Sequence, residues 1–329
     1  MTLRAKGSSS SIEFTSAAAS FKHEPVMLRE ILEAFKPIED GLFIDATLGG
    51  AGHAQALLAQ APERELIGID RDISAVEVAS SRLKGFGGRV QLHHARFDEI
   101  GKIIDNDGRS LSGAIFDLGV SSYQLDTPER GFSHRFTSPL DMRMDLSDSL
   151  DASTVVNSYD EAELTYLLRN NSDERFARRI AKSIVSARPI ESTTELAEVV
   201  RAAVPAATRR SGRHPAMRTF QAIRIAVNSE LELIEPALKQ VIERLRPGGR
   251  IVVLSYHSGE DRIVKQVFRE AADGVCVCPS TLPCICGSES NVKLLRRKVV
   301  RPGTEEIEAN PRAASARFRA AERLPVGEE

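Results

Sequence analysis

Short apolar runs that end in an acid alternate along this chain with stretches whose apolar residues return every third or fourth position. Leu42-Phe43-Ile44 ends in Asp45, and Leu66-Ile67-Gly68-Ile69 ends in Asp70. Between them Ala54, Leu57, Leu58 and Ala61 keep helical spacing until Pro62 breaks it. The pattern predicts strand, tight loop, helix, strand, acid. That is the opening unit of a doubly wound α/β sheet, whose ligand crevice lies at the strand ends. The alternation continues. Ile73, Val76, Ala79 and Leu83 form a helix face that Gly85, Gly87 and Gly88 end. Val90 and Leu92 alternate in a third strand, and Ala114, Ile115 and Phe116 make a fourth that stops at Asp117. A fifth strand spans Arg250 to Ser255, and Val292 to Val300 and Ala314 to Glu322 read as two more. Ahead of the sheet, His23 to Phe35 reads as a helix with Met27, Ile31 and Phe35 on one face.

The sheet pattern is interrupted once. Pro128 to Asp145 is irregular and dense in charged and turn-forming residues, the composition of a binding loop. Glu161 to Leu168, Glu174 to Ser186 and Thr193 to Val204 then carry helical periodicity. Because strands resume later, this region reads as a helical insert. A long amphipathic helix from Thr219 to Leu245 leads back to the sheet, stopped by Arg246-Pro247-Gly248-Gly249.

Charge changes this picture locally. With Lys+Arg 44 against Asp+Glu 46 the net charge is −2, so the chain as a whole has no nucleic-acid signature. Yet Arg175, Arg178, Arg179, Lys182 and Arg188, then Arg209, Arg210, Arg213, Arg218 and Arg224, gather in and just after the insert, and no acid lies between 209 and 224. A stripe at this spacing suits phosphates, whereas most charge runs are simply solvated helix faces. Lys293, Arg296, Arg297, Lys298 and Arg301 form a third basic group. Tryptophan is absent, so a large aromatic platform for stacking bases is not expected. No apolar run reaches the length of a membrane span. Residues 1–20 read as a small-residue polar tail without a secretory core. Cys276, Cys278, Cys284 and Cys286 form C-x-C-x5-C-x-C, which departs from the usual zinc knuckle; a zinc site and a cysteine-rich loop both fit.

The loop Asp45-Ala46-Thr47-Leu48-Gly49-Gly50-Ala51-Gly52-His53 carries the first chemistry. Gly50 and Gly52 supply two glycines of the dinucleotide fingerprint, but Gln55 stands where the third belongs, and no Lys-Ser or Lys-Thr follows as in a P-loop. A close backbone approach with Asp70 ready for a ribose diol suits an adenosine. Asp45 opposes a phosphate but can face an amino group. The plainer reading is a βα turn without ligand. Past the third strand, Phe97 reads as cover for an adenine face or as ordinary core, and Asp98 as a partner for the adenine amine. Asp117-Leu118-Gly119-Val120-Ser121-Ser122-Tyr123-Gln124-Leu125-Asp126 offers an acid, two hydroxyls and an amide, with no helix pattern after it. Tyr256-His257-Ser258-Gly259-Glu260-Asp261-Arg262 leaves the fifth strand at the same crevice.

The acid after strand two, the final strand pair and Pro-Gly-Gly before strand five suggest a class I (Rossmann-like) S-adenosylmethionine-dependent methyltransferase. Longer blocks narrow the resemblance: His23-Glu24-Pro25-Val26, the Asp45–His53 loop, Ile69-Asp70-Arg71-Asp72, Asp117–Ser122, Arg130-Gly131-Phe132-Ser133, Pro139-Leu140-Asp141-Met142-Arg143-Met144-Asp145, His214–Arg224, Val227-Asn228-Ser229-Glu230-Leu231 and Ser255–Arg262. From about Phe21 to Leu324 the chain resembles the bacterial RsmH (MraW) family.

That resemblance implies transfer of a methyl group from S-adenosylmethionine to the exocyclic N4 of a cytosine in the decoding region of 16S rRNA, within the 30S subunit, in the cytoplasm and away from membranes. It places cofactor contacts on Ala51, Gly52, His53, Asp70, Phe97, Asp117 and Gln124, and lowers the claim of Asp98. Many amino-methyltransferases carry an Asp/Asn-Pro-Pro-Tyr loop; here Asp117-Leu118-Gly119-Val120 replaces it. A poorly nucleophilic aromatic amine still needs acceptors for its N–H groups. Asp117, Ser121 and Ser122 are the candidates, with His257 as proton acceptor or base-edge contact. Arg175, Arg178, Arg179, Lys182, Arg213, Arg218 and Arg224 are the candidate RNA contacts, and no metal is expected at the site. The expected division is a tail over 1–20, a discontinuous methyltransferase domain over 21–127 and 219–324, a substrate-recognition insert over 128–218 and a tail over 325–329. Monomer and homodimer both remain open. The rivals are a nicotinamide dehydrogenase and a non-catalytic RNA-binding assembly factor.

Overall fold

The structure, a computed structural model, describes residues 25–209, 214–274 and 289–325. The tail expected over 1–20, His23, Glu24, Arg210, Arg213, the four cysteines and the tail expected over 325–329, Pro325 excepted, lie outside the described residues. Seven strands form one sheet: β1 (Leu42–Asp45), β2 (Glu65–Asp70), β3 (Val90–His94), β4 (Leu111–Asp117), β5 (Leu245–Ser255), β6 (Val292–Leu294) and β7 (Arg317–Arg323). Their order is β3-β2-β1-β4-β5-β7-β6. The first five pair in parallel, and β7 runs antiparallel between β5 and β6. This is the class I methyltransferase arrangement expected from the sequence. The order reverses at β1/β4, which opens a crevice at their carboxyl ends.

The central strands are apolar on both faces because helices cover both. Phe43, Leu66, Ile115 and Val252 face one core, and Ile44, Ile67, Phe116 and Val253 face the other. The first core is closed by α1 (Leu28–Phe35), α2 (Gly52–Gln60) and α3 (Ile73–Leu83). The second is closed by α4 (Ile100–Asp107), with α12 (Glu230–Arg244) and α13 (Ser258–Asp273) from the chain's later half.

Between β4 and α12 lie α5 (Ser122–Asp126), α6 (Ala152–Ser158), α7 (Glu161–Ser172), α8 (Ala177–Ser186), α9 (Thr193–Ala203), α10 (Ala206–Arg209) and α11 (Met217–Asn228). Leu164, Leu168, Ile180, Ile184, Leu196 and Val200 build a third core there.

Two expectations change. The helix predicted over Thr219 to Leu245 is two helices. The chain breaks at Ser229, whose φ is 49°. Asn228 holds the break: its amide donates to the Met142 carbonyl at 2.7 Å, and its oxygen accepts from Met144 N at 2.8 Å. In consequence Phe220, Ile223 and Val227 of α11 pack with the helical core, past the 218 boundary expected for the insert. The loop after Asp117 also forms a helix, the single turn of α5. Ser121 caps it, and Gln124 completes a reciprocal capping box. Beyond β6, α14 (Thr304–Ala309) occupies the acid-rich connection.

Candidate active site

Three strand-end acids converge on the loop after β1. Asp45 is 1% exposed, and burial, with Asp117 and Asp70 nearby, pushes its carboxyl up to about 7. Burial also raises Asp70, to about 6, against the pull of two backbone donors. Those donors are Gly49 N, 2.7 Å from Asp70 Oδ2, and Asp72 N, 2.8 Å from Oδ1. They fix the carboxylate while each oxygen keeps a second lone pair for a hydroxyl. The loop turns through left-handed residues, Gly49 at φ 48° and Ala51 at φ 57°. An alanine in that conformation is strained, as is common where a backbone is shaped for a ligand.

Pro25 lies against the start of α2: a side chain at Gly52 would stand 2.5 Å from Pro25 Cγ, so only glycine fits there. His53 is buried and points inward. Its Nε2 is 2.9 Å from the Val26 carbonyl. A carbonyl only accepts, so Nε2 carries the proton and Nδ1 faces Asp117 Oδ2 at 3.7 Å.

The Asp117 amide donates to Thr47 Oγ1 at 2.6 Å, and Tyr256 Oη donates to its Oδ1 at 2.6 Å, with His53 beside Oδ2. Burial and the Asp117 carboxylate together push the Tyr256 phenol well above its usual range, so it stays a donor. Gln124 is buried, and its Nε2 donates to Asp72 Oδ2 at 2.9 Å. The same oxygen accepts from Arg130 Nη1 at 2.8 Å. Ser121 Oγ accepts from Gln124 N at 3.2 Å, so its first duty is to shape α5. Phe97 packs edge-to-face on Phe116 at 6.2 Å, partly buried against the second core. Asp98 is bound at both oxygens by Arg96, at 2.9 and 2.8 Å.

His257 stands at the start of α13. It caps α13, its Nδ1 accepting from Gly259 N at 3.2 Å. Its Nε2 lies 3.1 Å from Glu260 Oε1, without the alignment of a hydrogen bond. Burial raises Glu260, but the His257 contact and the Tyr256 amide outweigh it and hold this acid below its usual range. The residue that touches Asp117 is therefore the neighbour, Tyr256. Successive residues leaving a strand point opposite ways, and sequence alone does not say which one turns inward. Thr47 was missed because its partner, the Asp117 amide, lies 70 residues away in the chain.

The basic residues divide. Arg175, Arg178, Arg179, Lys182 and Arg218 are exposed on the helical layer. Arg224 is not part of that face. Its Nε and Nη2 bind Glu230 at 2.8 Å across the Ser229 break, and its side chain is 13% exposed. Among the described residues no cluster of His, Cys, Asp and Glu could hold a metal ion, and no helix is long and apolar enough to cross a membrane.

Residues 20–324 match the model of the MraW methylase family. The chain belongs to that family. The MraW methylases are S-adenosylmethionine-dependent, and the residues here suit that cofactor. Three clustered carboxylates, Asp45 raised by burial and its acidic neighbours and Asp70 chiefly by burial, favour a ligand bearing an ammonium and a sulfonium over one bearing phosphates. A relative from Heliobacterium modesticaldum named ribosomal RNA small subunit methyltransferase H is 47% identical over 311 residues, 92% of this chain and 99% of its own. The protein of the same name from Pelobacter propionicus is 49% identical over 314 residues, 93% of this chain and 100% of its own. That from Halothermothrix orenii is 46% identical over 309 residues, 92% and 99% of the two chains.

Proposed function

We propose that this MraW-family protein methylates the exocyclic N4 of a cytosine in the decoding region of small-subunit rRNA, within the 30S particle. The observation that carries the reading is Asp117, a strand-end carboxylate fixed by Thr47 and Tyr256 beside the glycine-rich loop. The cofactor, when bound, supplies an electrophilic methyl on a sulfonium. Asp70 takes the ribose diol, the Gly49–His53 backbone lies along the methionine portion, and Phe97 and Gln124 border the adenosine. Asp117 accepts an N–H hydrogen bond from the cytosine amine. That localises the nitrogen lone pair, which is otherwise shared with the ring. Formation of the N4–CH₃ bond would break the S–CH₃ bond, leave the cofactor sulfur as a neutral thioether and give N4 one proton too many, which Asp117 or solvent would take. Ser121 and Ser122 stand on the same loop as further contacts for the base, and His257 supports the neighbouring wall. The cytosine leaves its stack to reach this depth. Arg175, Arg178, Arg179, Lys182 and Arg218 present a positive face to the RNA backbone, with Arg213 continuing it in sequence.

The test is Asp117→Asn and Asp117→Ala, with methyl transfer to 30S subunits and S-adenosylhomocysteine binding measured separately. Transfer at saturating cofactor falls in both variants. Unchanged transfer in the alanine variant removes Asp117 from the reaction.

A further inference from the structure

We infer that residues 304–316 form a clasp that positions both walls of the cofactor crevice, with Glu306 and Arg312 as its anchors. The inference rests on the cofactor reading above. The chain leaves the Val300–Phe318 bridge, runs through α14 and the 3-10 turn Pro311–Ser315, and returns as β7. On this path Glu306 Oε1 accepts from Met27 N at 2.6 Å, joining positions 279 residues apart. Met27 has a left-handed φ of 51° and begins α1 without a side-chain cap, so its amide has no acceptor from its own helix.

The residues just before Met27 are the ones that cover the cofactor loop. Pro25 closes over Gly52, and the Val26 carbonyl holds His53. Glu306 therefore fixes a strap whose underside is the start of α2. The second anchor grips the opposite wall. Arg312 donates to both oxygens of Asp126, at 3.1 and 2.6 Å. Asp126 ends α5, which carries Gln124 and is capped by Ser121. Asn310 stiffens the turn between the anchors by accepting from Arg312 N at 3.3 Å. Ala313 and Ala316 are fully buried in the same core as Val26, Met27, Ala51 and Ala54. The clasp is thus seated in the fold and reaches the site from both sides. Glu306 and Arg312 are positioning residues, acting through the strap and through α5 on groups that meet the ligand.

The full-length protein is titrated with S-adenosylhomocysteine, and melting temperature is recorded for each variant. Glu306→Ala leaves the Met27 amide unpaired and raises Kd about fivefold, whereas Glu306→Gln keeps an acceptor oxygen and stays within about twofold of wild type. Arg312→Ala raises Kd about threefold, the modest effect of an exposed pair, and the exchange Arg312→Asp with Asp126→Arg recovers most of it. A Kd that rises in the alanine variants while their melting temperatures stay well above the assay temperature separates the clasp from a general loss of stability. The clasp is overturned if Kd is unchanged in both alanine variants, or if Glu306→Gln binds as poorly as Glu306→Ala. A wild-type protein that fails to bind S-adenosylhomocysteine overturns the cofactor reading, and the clasp with it.

Discussion

Tyr256→Phe removes one hydroxyl and leaves the ring that packs beside Gly119. The deleted group donates to Asp117 Oδ1 at 2.6 Å. Hydrogen bonds to a charged partner contribute about 1.5–3 kcal/mol. Asp117's side chain is 27% exposed, so water replaces part of the missing donor and the lower end applies. About 1.4 kcal/mol corresponds to tenfold in rate. The expected outcome is a roughly tenfold fall in single-turnover methyl transfer to 30S subunits at saturating cofactor, with S-adenosylhomocysteine affinity within about threefold of wild type. The split matters. A loss confined to cofactor affinity would assign Asp117 to the methionine portion rather than to the target amine. An unchanged single-turnover rate would refute the claim that Tyr256 aims Asp117 at the reaction.

Three further outcomes follow from the same geometry. Asp45 and Asp70 titrate near about 7 and about 6 in the folded protein, above the unfolded carboxylate value, so between the two values the folded state holds extra protons. Stability of the cofactor-free protein therefore falls as pH rises from about 4 to about 7, while affinity for the cationic cofactor rises over the upper half of that range; calorimetric titration and melting curves across pH read both, and parallel trends would contradict this. Arg130→Ala strands Asp72, which is 2% exposed and keeps donors in Ser74 and Gln124; the cost in urea unfolding is about 3 kcal/mol, and a loss under about 1 kcal/mol would show the pair to be dispensable. Replacing Arg178, Arg179 and Lys182 together by alanine weakens 30S binding and flattens its salt dependence by about 0.7 in log-log slope for each phosphate that is no longer neutralised. Filter binding over a salt series reads this, and an unchanged slope would move the RNA face elsewhere.

Most of the sheet was legible because its signal is local: an apolar run, an acid, a glycine turn, a helical face. Asp45, Asp70 and Asp117 were readable as crevice residues for that reason alone. What was not legible depends on partners distant in sequence. Nothing in Val227-Asn228-Ser229-Glu230 carries the glycine or proline that usually breaks a helix. The break is made by Asn228 bonding to Met142 and Met144, 86 and 84 residues away in the chain. Once the helix bends, Arg224 and Glu230 meet, although six residues apart on an unbroken helix they would face apart. A residue read as part of a basic stripe thus becomes the half-buried partner of a buried acid. Ser121 and Gln124 show the opposite case. Their spacing is a capping-box signature, but a helix of one turn has too little periodicity to register.

The most direct test of the central claim is methyl transfer from labelled S-adenosylmethionine to 30S subunits from cells lacking the gene, with the product nucleoside identified by mass spectrometry. The account predicts label in N4-methylcytidine at a single position of the decoding region. Label in a different nucleoside would contradict the assignment of the target atom. Cofactor binding with no label on 30S subunits, 16S rRNA or 70S ribosomes would contradict the assignment of an enzyme and leave an assembly factor that keeps a cofactor pocket.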